Sequence, residues 1–399
     1  MELLFVAKLA LYGMFLNYYC YYVITGTFIP YGTIIFFGVA AACVGVNVLK
    51  DQLVHVGKEM RCWAFYGLLA LITMGFAVDP SGVVGDVLKY MQRLALIAMI
   101  AYICEKEHSI RFGLRLLAVD AVACAIAILY MVDDIQQKLS ISSSANLSAN
   151  DVGALMAFGV FAVLFAFGKK TSIITSLIKA AFIIAMVTVI FLAGSRKSIF
   201  AVIILLALLI LFCGKDYIKR SSIMSIMTIV VVCAIAFWFI NKNLAPHVEE
   251  TNLYVRLFGR GAEAADASND ARVELYILAL QEFFKRPILG LGFNNFVVVH
   301  GNYTHSTYVE TLACNGLIGL LYLFPYYYML KNQIKLIRLN AHDYEEYTFQ
   351  KEMLAFLLMF LFVGIGVPYM YKDNPCIILG MIIASQYNSY RRLRIKRQE

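Results

Sequence analysis

The feature that most constrains this chain is the repetition of long apolar runs. Stretches of about 20 apolar residues recur from one end to the other, each long enough to cross a hydrocarbon core of about 30 Å. Lipid offers no partner to a backbone N–H or C=O, so the crossing segments must close their own hydrogen bonds and are expected to be helices. Twelve spans are expected: 3–23, 28–49, 62–78, 84–104, 112–132, 152–168, 173–193, 198–213, 223–241, 306–330, 353–371 and 375–390. Of the 399 residues, 61% are hydrophobic and 15% charged, whereas soluble domains carry about 25% charged residues. The expected fold is an all-α polytopic integral membrane protein with about 12 transmembrane helices. A soluble domain on a single anchor is excluded.

The formal charge of +8 raises nucleic acid as a partner. The distribution argues against it, because most Lys and Arg fall in short loops, as membrane topology requires. With the N-terminus cytoplasmic, the inner loops hold Lys50, Lys58 and Arg61; Lys106 and Arg111; Lys169 and Lys170; Lys215, Lys219 and Arg220; and Lys331, Lys335, Arg338 and Lys351. The tail RRLRIKRQE is then also inside, while the short loops 24–27, 79–83 and 372–374 are nearly free of Lys and Arg. Both termini are therefore expected to be cytoplasmic. The first apolar run lacks a basic leader and a cleavage site and reads as a retained span. The nine cysteines show no metal-ligand spacing and read as packing residues.

This topology divides the chain into residues 1–241 with spans one to nine, an outer loop 242–304, and residues 305–399 with the last three spans and the basic tail. Within the outer loop, Ser268 to Asp270 can cap a helix over about 271–286, which Pro287 ends. Gly290 and Gly292 then allow a tight turn.

Charges inside spans are expensive and are functional candidates by default. Asp86, Lys89 and Arg93 are spaced to share one face of the fourth span. They read equally as an anion site or as an internal ion pair with Asp86. Arg196 and Lys197, in AGSRKS, lie against the positive-inside bias. They read as anion ligands, with snorkelling to headgroups as the structural alternative. Arg272 stands in the first turn of the expected outer helix, where the dipole disfavours a cation and calls for an anionic partner. Of six histidines, His305 is the one at the mouth of a span. Alone it would read as an interfacial residue. Glu310, little more than one turn below, is placed to orient it or to pair with an arginine. No nucleotide loop, nucleophile elbow or zinc motif appears.

His305-Ser306, nine residues, then Gly316-Leu317-Ile318-Gly319 resembles the H-[N, S or R]-x(9)-G-x-x-G pattern of the O-antigen ligase and polymerase superfamily of bacterial membrane glycosyltransferases. An arginine-led helix followed by PILGLGFNNF before the histidine is similar to that family, as is the small-residue-Ser-Arg turn AGSRKS. The resemblance implies a metal-independent, GT-C-like, all-helical transferase of the bacterial inner membrane, with its active site facing outward and no cofactor. Its donor would be an oligosaccharide on an undecaprenyl-diphosphate carrier. Its acceptor would be a lipid-linked repeat, for a polymerase of O-antigen, capsule or exopolysaccharide, or lipid A-core, for a ligase. A chain-length regulator is a further candidate partner. Under this resemblance His305 is the base, and Arg196 and Arg272 hold the diphosphate together with Lys197, Lys89 and Arg93. Gly316 and Gly319 would admit a neighbouring helix closely. A flippase is the alternative of another class. It fits the twelve spans, but not the gathering of candidate residues at the outer end.

Overall fold

A computed structural model describes residues 2–20, 31–51, 57–130, 149–166, 173–193, 195–220, 262–396 and 398. Among them no strand occurs. The α-helices in chain order are α1 (Glu2–Cys20), α2 (Gly32–Asp51), α3 (Lys58–Ile72), α4 (Pro80–Lys106), α5 (Arg111–Tyr130), α6 (Ala149–Ala166), α7 (Ile173–Leu192) and α8 (Arg196–Arg220). They continue as α9 (Ala262–Lys285), α10 (Phe296–His300), α11 (Thr307–Asn315), α12 (Leu320–Leu339), α13 (Tyr344–Val363) and α14 (Asn374–Ile395). Every expected span among the described residues overlaps a helix, and 223–241 lies outside them. Among the described residues, five segments are long and apolar enough to cross a membrane: Gly32–Asp51, Pro80–Lys106, Arg111–Leu129, Lys197–Gly214 and Thr307–Leu339. The chain is an all-α membrane protein.

The chain forms two compact units, residues 1–47 with 111–265 and residues 48–110 with 266–399. In the first, α6 packs against α5, α7 and α8. Its sequence ALMAFGVFAVLFA is apolar on all sides, which suits a helix enclosed by others. Gly159 makes this enclosure close: a Cβ there would lie 2.4 Å from Ala121 Cβ on α5.

In the second unit, α14 packs on α4, and α12 packs on α3. A Cβ on Gly380 would stand 2.9 Å from Ile100 Cβ, so α14 and α4 meet almost backbone to side chain. Asp79 starts α4 by accepting the Gly82 N–H at 2.9 Å, with Pro80 at the first helical position, where its missing N–H costs nothing. An aromatic core of Trp63, Tyr66, Tyr90, Tyr322 and Tyr326 joins α3, α4 and α12. Trp63 also donates to the Tyr322 carbonyl at 2.9 Å.

Three expectations are corrected in this unit. The helix expected over 271–286 spans Ala262–Lys285, so Ser268 to Asp270 lie inside it and not at its start. The upstream run AEAADA is mostly Ala, the strongest helix former, and extends it. The tenth span, expected as one helix over 306–330, is α11, a 3₁₀ turn at Gly316–Gly319, and α12. The break falls at Gly316, whose φ of 56° cannot continue a right-handed helix. The eleventh span, expected over 353–371, is helical only to Val363 and is followed by a 3₁₀ turn at Tyr369–Tyr371.

Candidate functional site

The site is built on a backbone interlock between two glycine-containing segments. The Leu291 N–H donates to the Ala313 carbonyl at 3.0 Å, and Gly292 N–H to the Cys314 carbonyl at 2.8 Å. In return the Leu317 N–H donates to the Pro287 carbonyl at 2.8 Å. Such contacts leave no room for side chains. A Cβ on Gly316 would sit 2.5 Å from the Pro287 carbonyl oxygen, and one on Gly290 2.4 Å from the Cys314 carbonyl carbon. Both glycines also have positive φ, 56° and 66°, so L-residues are excluded twice over. The expectation that Gly316 and Gly319 face a neighbouring helix is thus corrected. Gly316 faces the 287–288 backbone, and Gly319 closes on the Thr311 carbonyl of α11, where a Cβ would lie at 2.6 Å.

Phe293 anchors this assembly. It is fully buried and meets the Tyr66, Tyr90 and Tyr371 rings at 6.2, 5.8 and 5.9 Å. Burial of such a ring contributes about 1.5–3 kcal/mol. The turn between α3 and α4 holds the segment as well, since Thr73 Oγ1 accepts the Phe293 N–H at 3.2 Å and Asn295 Oδ1 accepts the Asp79 N–H at 2.8 Å.

On this support stands the loop that presents His305. His305 is half-buried and has φ 58°, a left-handed conformation that is uncommon outside glycine. The flanking residues enforce it. Thr304 Oγ1 donates to the Ser306 carbonyl at 3.2 Å and accepts the Ser306 N–H at 3.3 Å. The Thr304 N–H donates to Glu310 Oε2 at 2.7 Å, and Glu310 is fully buried. Ser306 caps α11 by accepting the Val309 N–H at 3.5 Å. Thr307 ties the start of α11 to the α13–α14 connection, donating its N–H to the Gly364 carbonyl at 2.8 Å and accepting the Tyr369 N–H at 2.9 Å. Glu310 therefore fixes the backbone beside His305, and Ser306 starts the helix below it.

Arg272 reaches the same loop through a residue the sequence reading missed. Tyr276, one turn along α9, donates to the Ile365 carbonyl at 3.1 Å and meets the Ser306 side chain. Burial raises the Tyr276 pKa, and the positive charge of Arg272 opposes that rise. Arg272 is half-buried. Its i, i+4 spacing to Tyr276 was the available signal.

Of the cations of α4, Lys89 takes the ion-pair alternative and Arg93 does not. Lys89 pairs with Asp86 at 3.0 Å, and Asp86 also accepts from the Asn294 amide. Arg93 does not join Asp86. It pairs with Asp373, at the start of α14, at 2.8 Å and donates to the Met370 carbonyl at 3.3 Å. In the other unit, Arg196 and Lys197 form the first turn of α8. On either side of them, Ser195 and Ser198 are buried and share a hydroxyl hydrogen bond of 2.8 Å. A Cβ on Gly153 of α6 would stand 2.3 Å from Ser198 Oγ. The small size of Ser195 and Ser198 suits this contact.

Residues 180–324 match the O-antigen ligase family. This stretch of the chain is similar to O-antigen ligases. No curated protein matches it.

The matched stretch contains Arg196, Lys197, Arg272 and the whole run from His305 to Gly319, whereas Lys89 and Arg93 lie outside it. The O-antigen ligase family implies a glycosyltransferase-like enzyme of polysaccharide biosynthesis, multi-pass in the bacterial inner membrane and acting on lipid-linked glycans. Among the described residues no cluster of three or more His, Cys, Asp or Glu could hold a metal ion.

Proposed function

We propose that this protein transfers an oligosaccharide from an undecaprenyl-diphosphate carrier to a sugar hydroxyl, polymerising the repeat units of a surface polysaccharide. The observation that carries this reading is the left-handed His305 loop, pinned on both sides inside the stretch that matches the O-antigen ligase family. Backbone held in a rarely populated conformation clusters at sites of chemistry.

In this mechanism His305 accepts the proton of the acceptor hydroxyl. The freed oxygen bonds to the anomeric carbon as the carbon–oxygen bond to the diphosphate breaks, and the diphosphate leaves with the electron pair. Attack from the opposite side inverts that carbon. Arg272 and Arg196, with Lys197, stabilise the charge growing on the leaving group. Arginine suits the task because its planar fork bonds phosphate through two N–H groups. Cations in this role make a metal dispensable. The reading also carries the GT-C-like layout of twelve spans, cytoplasmic termini and an outward-facing loop 242–304.

A ligase that moves the finished glycan to lipid A-core is the second reading, favoured by the description of the matched family. Reconstitution separates the two. With a synthetic undecaprenyl-diphosphate repeat unit alone, a polymerase makes a ladder of products. A ligase makes none until lipid A-core is added. No product under either condition rejects both readings.

A further inference from the structure

Beside the His305 loop lies a patch that the mechanism above does not use. Tyr303, two residues before His305, stacks at a tilt on Tyr371 with ring centroids 5.5 Å apart. The Asn294 side chain is within hydrogen-bond reach of the Tyr303 phenol and donates to Asp86. Tyr303, Tyr371, Asn294 and Asp86 are each only partly buried. Asn294 Oδ1 is buried beneath the patch and accepts no hydrogen bond within the protein. Like His305, Asn294 has φ 58°, so two neighbouring segments place their polar residues by left-handed turns.

The charges of this patch cancel locally. Lys89 is neutralised by Asp86 and Arg93 by Asp373. A diphosphate bears about two negative charges and would meet both carboxylates there, each close to the cation it would need. Phosphate sites concentrate unpaired Arg and backbone N–H groups. A neutral polyol has other needs: donors and acceptors in alternation for its hydroxyls, and an aromatic surface for its C–H face. Asp86 accepts, and the Lys89 ammonium donates. The Tyr303 phenol, held above its usual pKa by burial and by the Glu310 and Asp86 carboxylates, stays a neutral donor. Tyr303 and Tyr371 supply the surface.

We propose that Tyr303, Tyr371, Asn294 and Asp86 form a subsite for a neutral sugar ring next to His305, and that Lys89 and Arg93 organise this subsite instead of binding the diphosphate. The inference rests on the transferase reading and names where that enzyme holds glycan.

The test uses the full-length protein in lipid nanodiscs with two probes. One is sugar-free undecaprenyl diphosphate. The other is the repeat-unit oligosaccharide released from the producing strain's own surface polysaccharide. Tyr303→Ala is expected to weaken the oligosaccharide about tenfold, as loss of one stacking surface implies, and to leave the diphosphate probe unaffected. Tyr303→Phe keeps the ring and should retain most of the oligosaccharide affinity, which separates stacking from misfolding. Oligosaccharide binding should also persist in high salt, where diphosphate binding weakens by charge screening. In the transfer assay, a rise in KM for the acceptor alone assigns the subsite to acceptor sugar, and a rise for the donor alone assigns it to donor sugar. The proposal is overturned if Tyr303→Ala and Asp86→Asn weaken the diphosphate probe and spare the oligosaccharide, or change neither. A wild-type protein that binds neither probe overturns the transferase reading itself. An Arg272→Ala variant that keeps full diphosphate affinity removes only that reading's leaving-group assignment.

Discussion

At the scale of single residues, His305 depends on neighbours whose chemistry is simple. Glu310 is a buried carboxylate whose Oε2 accepts the Thr304 N–H. Replacing it by Ala leaves that N–H without an acceptor, at about 1–3 kcal/mol, and frees the loop. Glu310→Ala is therefore expected to lower both the melting temperature and the transfer rate, while Glu310→Gln, which keeps an acceptor oxygen, should recover most of the stability. Thermal unfolding and transfer assays on the same preparations check this, and equal losses in the two variants would contradict it. Ser306 makes a separate prediction. As the cap of α11, its change to Ala should cost about 1 kcal/mol, and Ser306→Asn should cost little because Asn caps as well. The family pattern's tolerance of Asn beside the histidine then has a structural cause. Much of this was legible from spacing. His305, Ser306 and Glu310 stand in one short stretch, and the structure gives the last two local backbone roles. Asp373 was not legible as the partner of Arg93, because 280 residues separate them and no local period reports such a contact.

At the scale of elements, the site depends on the fit between the 287–292 segment and the turn that ends α11. Gly316→Ala and Gly290→Ala each force a Cβ into backbone atoms at a positive φ. Each is expected to destabilise the protein by about 2 kcal/mol or more. Gly38, where a Cβ would meet nothing within 4 Å, serves as control, and Gly38→Ala should be tolerated. Detergent-solubilised yield and melting temperature read the difference. A Gly316→Ala protein as stable as Gly38→Ala would remove the interlock from the account. The existence of the helices was legible because apolar runs of this length permit little else in lipid. The break at Gly316 was not, since two glycines three residues apart read equally as the small face of an unbroken helix. What decides between them is the Pro287 carbonyl, supplied by a segment whose docking the sequence does not reveal.

At the scale of the whole molecule, cation placement predicts topology, and topology predicts where the chemistry occurs. A fluorescent protein fused to the C-terminus should fluoresce, and alkaline phosphatase fused after residue 302 should be active, since each functions only on its own side of the membrane. The reverse pattern would place the His305 loop in the cytoplasm and remove its access to an outward-facing donor. The apolar pattern and the positive-inside bias are what predict this layout, because both follow from the cost of burying charge in lipid. The fine grouping into two compact units was not legible, since it depends on packing between helices distant in sequence. The central claim is that His305 moves a proton in glycosyl transfer. Its most direct test is the single-turnover rate of purified wild-type and His305→Ala proteins in proteoliposomes with a synthetic undecaprenyl-diphosphate repeat unit. Loss of a general base predicts a fall of about 10²–10⁴-fold in the rate of transfer with donor binding retained, and transfer by His305→Ala at the wild-type rate would contradict it.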